Sequence, residues 1–445
     1  MIAQIKQRLT GSSLKARFLR GSAWLAVGNI SEKILAFASK IILARLLMPQ
    51  DLGVIVLIAS ITALFECMTE VGVKQCVIQN KDGGKPEFLN MAWWFSAVRG
   101  GVLFAVAWML APLMCDFYFE GKSQVLASYD MQELTLMVRV AFLSMLFTGL
   151  ISPRAYIMEK QFRFARVVGY MQSAALTGTI LTIILSFVLQ NAWAMVIGFT
   201  CQGVLRMVMS YAFCPFLPRL NYNRESMVQL GRFGLGMWGA PFFAYIAFNI
   251  DILVGGKVLG PELMGLYGFA VGLAYIPREL FARIINPLLM PAFAERQNNP
   301  GKLRKAVSQL AGYLLMLCLP FILVSFLFHK QILATIYGNN FELVSQVFAI
   351  FTVNVLLIML SMIFVSLLMA LGKPEINRNI TFIRALIMVS LIYPVAKIYG
   401  IMGMAILQMI SNLFFIMITY NYIKKIIGMT VFDLKPISFR PNINK

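Results

Sequence analysis

Lys33, Arg99, Arg278, Arg283 and Arg384 are cations placed inside long apolar runs, where a charge has to justify its cost. A charged side chain in hydrocarbon costs at least a few kcal/mol, so it faces a bundle interior or a wet cavity, or else reaches back to the headgroups. Arginine carries a planar fork of donors that grips paired phosphate oxygens, and lysine offers a compact positive charge. Together these residues suit binding of a phosphate-bearing anion. Asn29 and Tyr275 add an amide and a phenol of the kind that hydrogen-bond to sugar. Three carboxylates, Glu66, Glu70 and Asp251, sit in similar surroundings. Glu66 and Glu70 lie one helical turn apart, suiting either a coupling cation or neutralisation of Lys33 or Lys74. Asp251 reads equally as a polar residue at a helix end.

Lys33 lies roughly 16 Å from the start of its run at 1.5 Å per residue. It shares a helical stripe with Ser22, Asn29 and Lys40. A second stripe contains Gly268, Gly272, Tyr275, Glu279, Arg283 and Asn286, with Pro277 and Arg278 at its edge. For Arg283, Arg206 and Lys40, snorkelling to a headgroup region is the competing reading.

Other chemistries find little support. His329 is the single histidine, and the six cysteines contain no C-x-x-C pair. There is no G-x-x-x-x-G-K-[ST] phosphate loop. We therefore expect no catalytic residues, no metal site and no cofactor. The net charge of +20 would suit nucleic acid on a soluble surface, but its distribution points elsewhere.

The residues above must be carried by membrane helices. The chain is 445 residues long, 59% hydrophobic and only 13% charged, where soluble domains carry about 25%. About twelve runs reach the roughly 20 apolar residues that span a bilayer as a helix. They are 22–46, 52–73, 91–115, 132–152, 164–189, 193–214, 231–255, 263–289, 306–328, 343–371, 377–397 and 401–427. Lys and Arg concentrate in the two tails and the even-numbered connections, whereas the odd-numbered ones carry Asp116, Glu120, Asp130 and Glu133. Basic loops stay on the cytoplasmic side, so both ends are expected there. The first twenty residues, with Lys6, Arg8, Lys15, Arg17 and Arg20, read as a basic amphipathic lead-in and not as a cleavable signal peptide. Gly231, Gly234, Gly236 and Gly239, followed by Pro241, predict a bend in the seventh run or close packing through small residues.

A break near Pro215–Asn223 divides the chain into six-helix bundles, residues 1–214 with the basic lead-in and 215–445 with a basic tail. The halves repeat. Arg45-Leu46-Leu47-Met48-Pro49-Gln50-Asp51-Leu52-Gly53 aligns with Lys257-Val258-Leu259-Gly260-Pro261-Glu262-Leu263-Met264-Gly265, base on base, Pro on Pro and Gly on Gly. Six is an even number, so both halves start on one side. The repeat axis then lies along the membrane normal.

At these residues the chain resembles the polysaccharide export branch of the multidrug/oligosaccharidyl-lipid/polysaccharide flippase superfamily. Leu43–Gly53 is similar to its L-A-R-L-L-x-P-x-D-[FL]-G signature. Glu70-Val71-Gly72-Val73 followed by Val77-Ile78-Gln79 is similar to its acidic-x-G and A-L-I-Q segment. Thinner agreement continues at Pro153-Arg154 with Phe164, at Asp251-Ile252-Leu253-Val254-Gly255, and at Pro277 and Pro287. The resemblance implies an all-α integral membrane fold, a V-shaped pair of six-helix bundles around a central cavity. It also implies transfer of undecaprenyl-pyrophosphate-linked oligosaccharide between leaflets, as in exporters of colanic-acid and other exopolysaccharide type. The partners implied are that lipid-linked oligosaccharide and the membrane lipids. Whether a polysaccharide polymerase and other assembly proteins act beside it stays open. The rival functions are a cation-coupled multidrug antiporter of the same superfamily, which would prefer acidic cavity residues, and a membrane-embedded polymerase, which would need a sizeable extramembrane loop. The orientation has a direct check. A fluorescent protein fused after Lys445 should fluoresce and a phosphatase fused there should be inactive, with the reverse for fusions at Tyr129.

Overall fold

The computed structural model describes residues 14–121, 127–161, 163–219, 223–237, 239–297 and 299–428. Lys6 and Arg8 of the basic lead-in, and the basic tail beyond 428, lie outside that set. Among the described residues the regular structure is helical throughout, and nine helices are long and apolar enough to cross a membrane. The chain is an all-α multi-pass membrane protein.

Two compact units divide the described chain. Unit 1 comprises residues 1–245 together with Gly260–Gly265, and unit 2 comprises Ile246–Leu259 with Leu266–Lys445. The helices begin with α1 (Leu14–Leu46), α2 (Pro49–Met68), α3 (Val73–Gln79), α4 (Pro86–Phe119) and α5 (Met131–Gly149). They continue with α6 (Arg154–Lys160), α7 (Phe164–Leu189), α8 (Ala192–Phe213) and α9 (Arg224–Met237). The remaining elements are α10 (Ala240–Val258), α11 (Pro261–Ala274), α12 (Ile276–Leu280), a π turn (Phe281–Ile285), α13 (Asn286–Ala294), α14 (Pro300–Leu327), α15 (His329–Tyr337), a 3-10 turn (Asn339–Val344), α16 (Ser345–Ala370) and α17 (Pro374–Ile427).

The seventh run is interrupted between α9 and α10, where Gly239 takes φ +86°. That backbone is open to glycine at little cost, and Pro241 just beyond cannot donate a backbone hydrogen bond. The eighth run, expected as one helix over 263–289, is broken into α11, α12, the π turn and α13. Pro277 and Pro287 each remove a donor from the ladder there, and a π turn is a usual way to absorb such a fault. The expected eleventh and twelfth runs are two helical arms, numbered together as α17, that meet at a kink where Gly400 (φ 58°, ψ −148°) leaves the helical conformation.

Within unit 1 the ends of α2, α5 and α8 are tied by one phenol. Tyr129 donates to the buried Asp51 carboxylate, and its oxygen accepts from Ala192 N at 2.9 Å. Asp51 also accepts from Met48 N at 3.2 Å, satisfying a donor at the start of α2. Burial and the neighbouring Asp51 push the Tyr129 phenol up from its ordinary pKa, which keeps it a donor. The repeated Pro-x-x-x-Gly segments pack on each other in the same unit. A Cβ on Gly53 would stand 1.9 Å from the Pro261 carbonyl oxygen, and one on Gly265 would stand 2.5 Å from Gly53 N. Both neighbours are backbone and cannot step aside. The contact depends on glycine because backbones approach this closely only where no side chain intervenes.

The fold therefore predicts an asymmetry between glycines. Gly53→Ala should lower the melting temperature in detergent by several degrees, the effect of an overpacking cost of about 1–3 kcal/mol. Gly101→Ala, whose Cβ meets nothing within 4 Å, should leave it unchanged or raise it. Equal melting of the two variants would refute the close crossing.

Candidate functional site

Unit 2 gathers four of the sequence-predicted residues into one buried polar cluster. Arg384 on α17 is 2% exposed. Its Nε donates to Ser411 Oγ at 3.0 Å, and its Nη2 donates to Gln408 Oε1 and to the Ala247 carbonyl, both at 3.1 Å. Gln408 in turn donates to the Phe248 carbonyl at 3.0 Å. These bonds join the two arms of α17 on either side of Gly400 and fix α10 to both. The guanidinium also lies 4.2 Å from the Phe248 ring centroid.

Arg278 on α12 is held differently. Its guanidinium stacks 5.3 Å from the Phe248 ring and 5.1 Å from the Tyr275 ring. Its buried Nε has no hydrogen-bond partner, nor has the buried Tyr275 hydroxyl beside it. Asp251 on α10 accepts from Tyr267 at 2.6 Å and is fully enclosed. Phe351 on α16 stacks edge-on against both Tyr267 and Tyr275 at 5.7 Å, so it sets the spacing of the two phenols. Asn412 donates to Asn354 at 2.7 Å at the inner edge of the cluster. The two arginines thus have opposite standing: Arg384 is committed to protein acceptors, whereas Arg278 is held by aromatic faces with its Nε unpartnered among the described residues.

Arg283 is exposed on the π turn, and Asn286 three residues on accepts from Ser366 at 2.8 Å.

In unit 1, Arg99 pairs with Glu70 at 3.1 Å and donates to the Thr69 carbonyl at 3.3 Å. Glu70 also accepts from Gly72 N at 3.0 Å, where the chain turns into α3. Glu66 lies one turn earlier on α2 and is half-buried. The expected neutralisation of Lys74 falls instead to Glu159, 2.8 Å away. Lys33 is half-buried on α1, and the side chain of Asn29 lies outside the described set. Among the described residues no group of His, Cys, Asp and Glu is arranged to hold a metal ion.

Sequence reasoning did not single out Phe248, Tyr267, Phe351, Gln408, Ser411 or Asn412. The last three carry a signal. Gln408, Ser411 and Asn412 fall at i, i+3 and i+4 in an apolar run, a polar stripe on one helix face. Phe248, Tyr267 and Phe351 carry none, because an aromatic in an apolar run looks like any other core residue.

Known proteins share this architecture. The family model described as "Polysaccharide biosynthesis protein" matches residues 42–346. The "Lipopolysaccharide biosynthesis protein WzxC" of Escherichia coli K12 is 23% identical over 91% of this chain and 82% of its own. An "Uncharacterized membrane protein in cps region" of Klebsiella pneumoniae is also 23% identical, over 97% of this chain and 87% of its own. Among solved structures, the inward closed conformation of the lipid II flippase MurJ superimposes with a TM-score of 0.74 at 13% identity, covering 92% of this chain and 88% of that one. At that identity the likeness is one of fold.

The different standing of the two arginines has a measurable consequence. Arg384→Leu strands Gln408 Oε1, Ser411 Oγ and the Ala247 carbonyl, at about 1 kcal/mol or more each, and should lower the melting temperature markedly or abolish folding. Arg278→Gln breaks no hydrogen bond among the described residues, so it should melt within a degree or two of the parent. A reversed order in a detergent melting series would show that the assignment is wrong.

Proposed function

Because the chain belongs to the polysaccharide biosynthesis protein family, we propose that it moves undecaprenyl-pyrophosphate-linked oligosaccharide repeat units across the cytoplasmic membrane by alternating access, for assembly of a surface polysaccharide. The observation that carries this reading is Arg278, a half-buried guanidinium whose buried Nε has no partner among the described residues, beside an unpartnered phenol. A pyrophosphate brings about two negative charges and several oxygens, and an arginine fork answers both. The adjacent Tyr275 hydroxyl suits a sugar or a phosphate oxygen.

In this reading Arg384 is a positioning residue that fixes Phe248 and, through it, the Arg278 plane. Lys33, Asn29, Arg99 and Arg283 are further contacts along the path, with Arg99 partly neutralised by Glu70. Transport needs no bond made or broken in the substrate, so the protein is a carrier and not an enzyme. Of the three carboxylates, Glu66 is the candidate for a coupling cation in unit 1, since Glu70 is already paired and Glu66 has no cation within ion-pair distance among the described residues. Asp251, bonded to Tyr267, is the candidate in unit 2. Both chain ends lie in the cytoplasm, where the substrate is made. The cationic character of the unit 2 cluster fits an anionic cargo better than a cationic drug.

Deletion of the gene tests the function. Extraction and mass spectrometry of undecaprenyl-linked intermediates should reveal a complete repeat unit that accumulates while surface polysaccharide is lost. The wild-type gene should rescue both, and Arg278→Gln should rescue tenfold less or not at all at equal protein level. Unchanged intermediates with altered sensitivity to small cationic compounds would identify an antiporter instead.

A further inference from the structure

Unit 1 holds a second cationic cluster, built from arginines that the transport reading does not use. A cavity of about 890 Å³ opens among the connections that follow the second, fourth and sixth spans, and Arg154, Arg163 and Arg219 line it. All three arginines are exposed, and none has a carboxylate within ion-pair distance among the described residues. An uncompensated trio of like charges raises the energy of the empty site and leaves it complementary to an anion.

The wall is built and not incidental. Arg219 N donates to Asn90 Oδ1 at 3.0 Å, and Trp94 Nε1 donates to the Arg219 carbonyl at 3.1 Å. Arg154 holds the Pro215 carbonyl at 3.0 Å, and Ser152 Oγ holds the Cys214 carbonyl at 2.7 Å. The 214–219 connection is thereby anchored to α4, to α6 and to the turn before it. That anchoring fixes the cavity at the level where spans end and headgroups begin. The remaining lining mixes the polar Asn90 and Gln161 with an apolar flank of Leu89, Ile157, Phe216 and Leu217, of which Leu217 is 76% exposed. Phosphate-sized charge flanked by exposed apolar surface, at a span end on the basic side, is the chemistry of a lipid headgroup pocket.

We infer that this cavity binds the phosphate of an anionic membrane phospholipid, with its acyl chains lying along the exposed apolar rim. A soluble phosphate would use the arginines but gain nothing from Leu217 and Phe216. The site is independent of the transport reading, since it requires only that unit 1 sit in a bilayer.

The test uses the full-length protein purified in a neutral detergent. It would be titrated separately with phosphatidylglycerol, with phosphatidylcholine of the same chains and with inorganic phosphate, following both native mass spectra and melting temperature. Phosphatidylglycerol should bind and stabilise, while the other two should not. Arg163 and Arg219 make no side-chain hydrogen bond among the described residues, so Arg163→Gln/Arg219→Gln should fold normally. Each basic residue near an anionic surface contributes about fivefold, so that pair should weaken phosphatidylglycerol binding roughly 25-fold. Adding Arg154→Gln should bring the loss to about a hundredfold. Lys302→Gln/Lys305→Gln, removing equal charge from the exposed start of α14, should leave binding unchanged. The inference is overturned if the arginine pair binds as the parent does, if the lysine pair loses as much, or if phosphatidylcholine binds as well. Equal protection by inorganic phosphate would overturn the lipid assignment in favour of a soluble phosphate ligand.

Discussion

Leaving a buried guanidinium unsatisfied is costly, and the organisation of unit 2 follows from meeting that cost at Arg384. Its bonds join three stretches of chain: its own, that of Ala247, and that of Gln408 and Ser411. Two of those stretches lie on opposite sides of the Gly400 break. The break is tolerable because the arginine and glutamine bridge what the backbone ladder no longer does. Phe248, whose carbonyl Gln408 holds, then becomes a fixed plate on which Arg278 rests. A buried charge of this kind is a poor source of stability in itself. Its value lies in fixing the place of the second arginine, whose Nε is unpartnered among the described residues.

Unit 1 handles its charges by pairing. Arg99 with Glu70 and Lys74 with Glu159 form short bridges around the turn into α3. Exposed pairs of this sort contribute little energy, but the Glu70 carboxylate also accepts the Gly72 amide and so shapes the turn. Fully committed pairs next to uncompensated arginines at the same end of the unit leave a local excess of positive charge. The sequence shows the same excess only as a loop count.

Most of the helical framework could be read directly, because a membrane span needs a continuous apolar run and there are few ways to misread one. The breaks were harder. Gly239 and Pro241 announce the first, since both residue types disfavour a helix interior, but the π turn at Phe281–Ile285 and the departure at Gly400 depend on how neighbouring spans pack. The short helices α3, α6 and α15 carry no apolar period long enough to register. At the site, the intramembrane charges Asp251, Arg278 and Arg384 stood out because charge is rare in such runs. Their division into one committed and one uncommitted arginine did not, for it is decided by Gln408 and Ser411, which lie more than twenty residues along the chain from Arg384. Lys33, the most conspicuous cation in the sequence, is half-buried on α1 of unit 1.

Proline opens α2, α4, α11, α14 and α17. At the first helical position it loses nothing, since that amide would have no partner, and its ring already holds the helical φ. Spans enter a bilayer one after another as the chain is synthesised, before distant partners exist. A start written into the local sequence means that each of these segments reaches the membrane with its first turn already in place. Vertical register is then settled during biogenesis, and later docking of span on span inherits it.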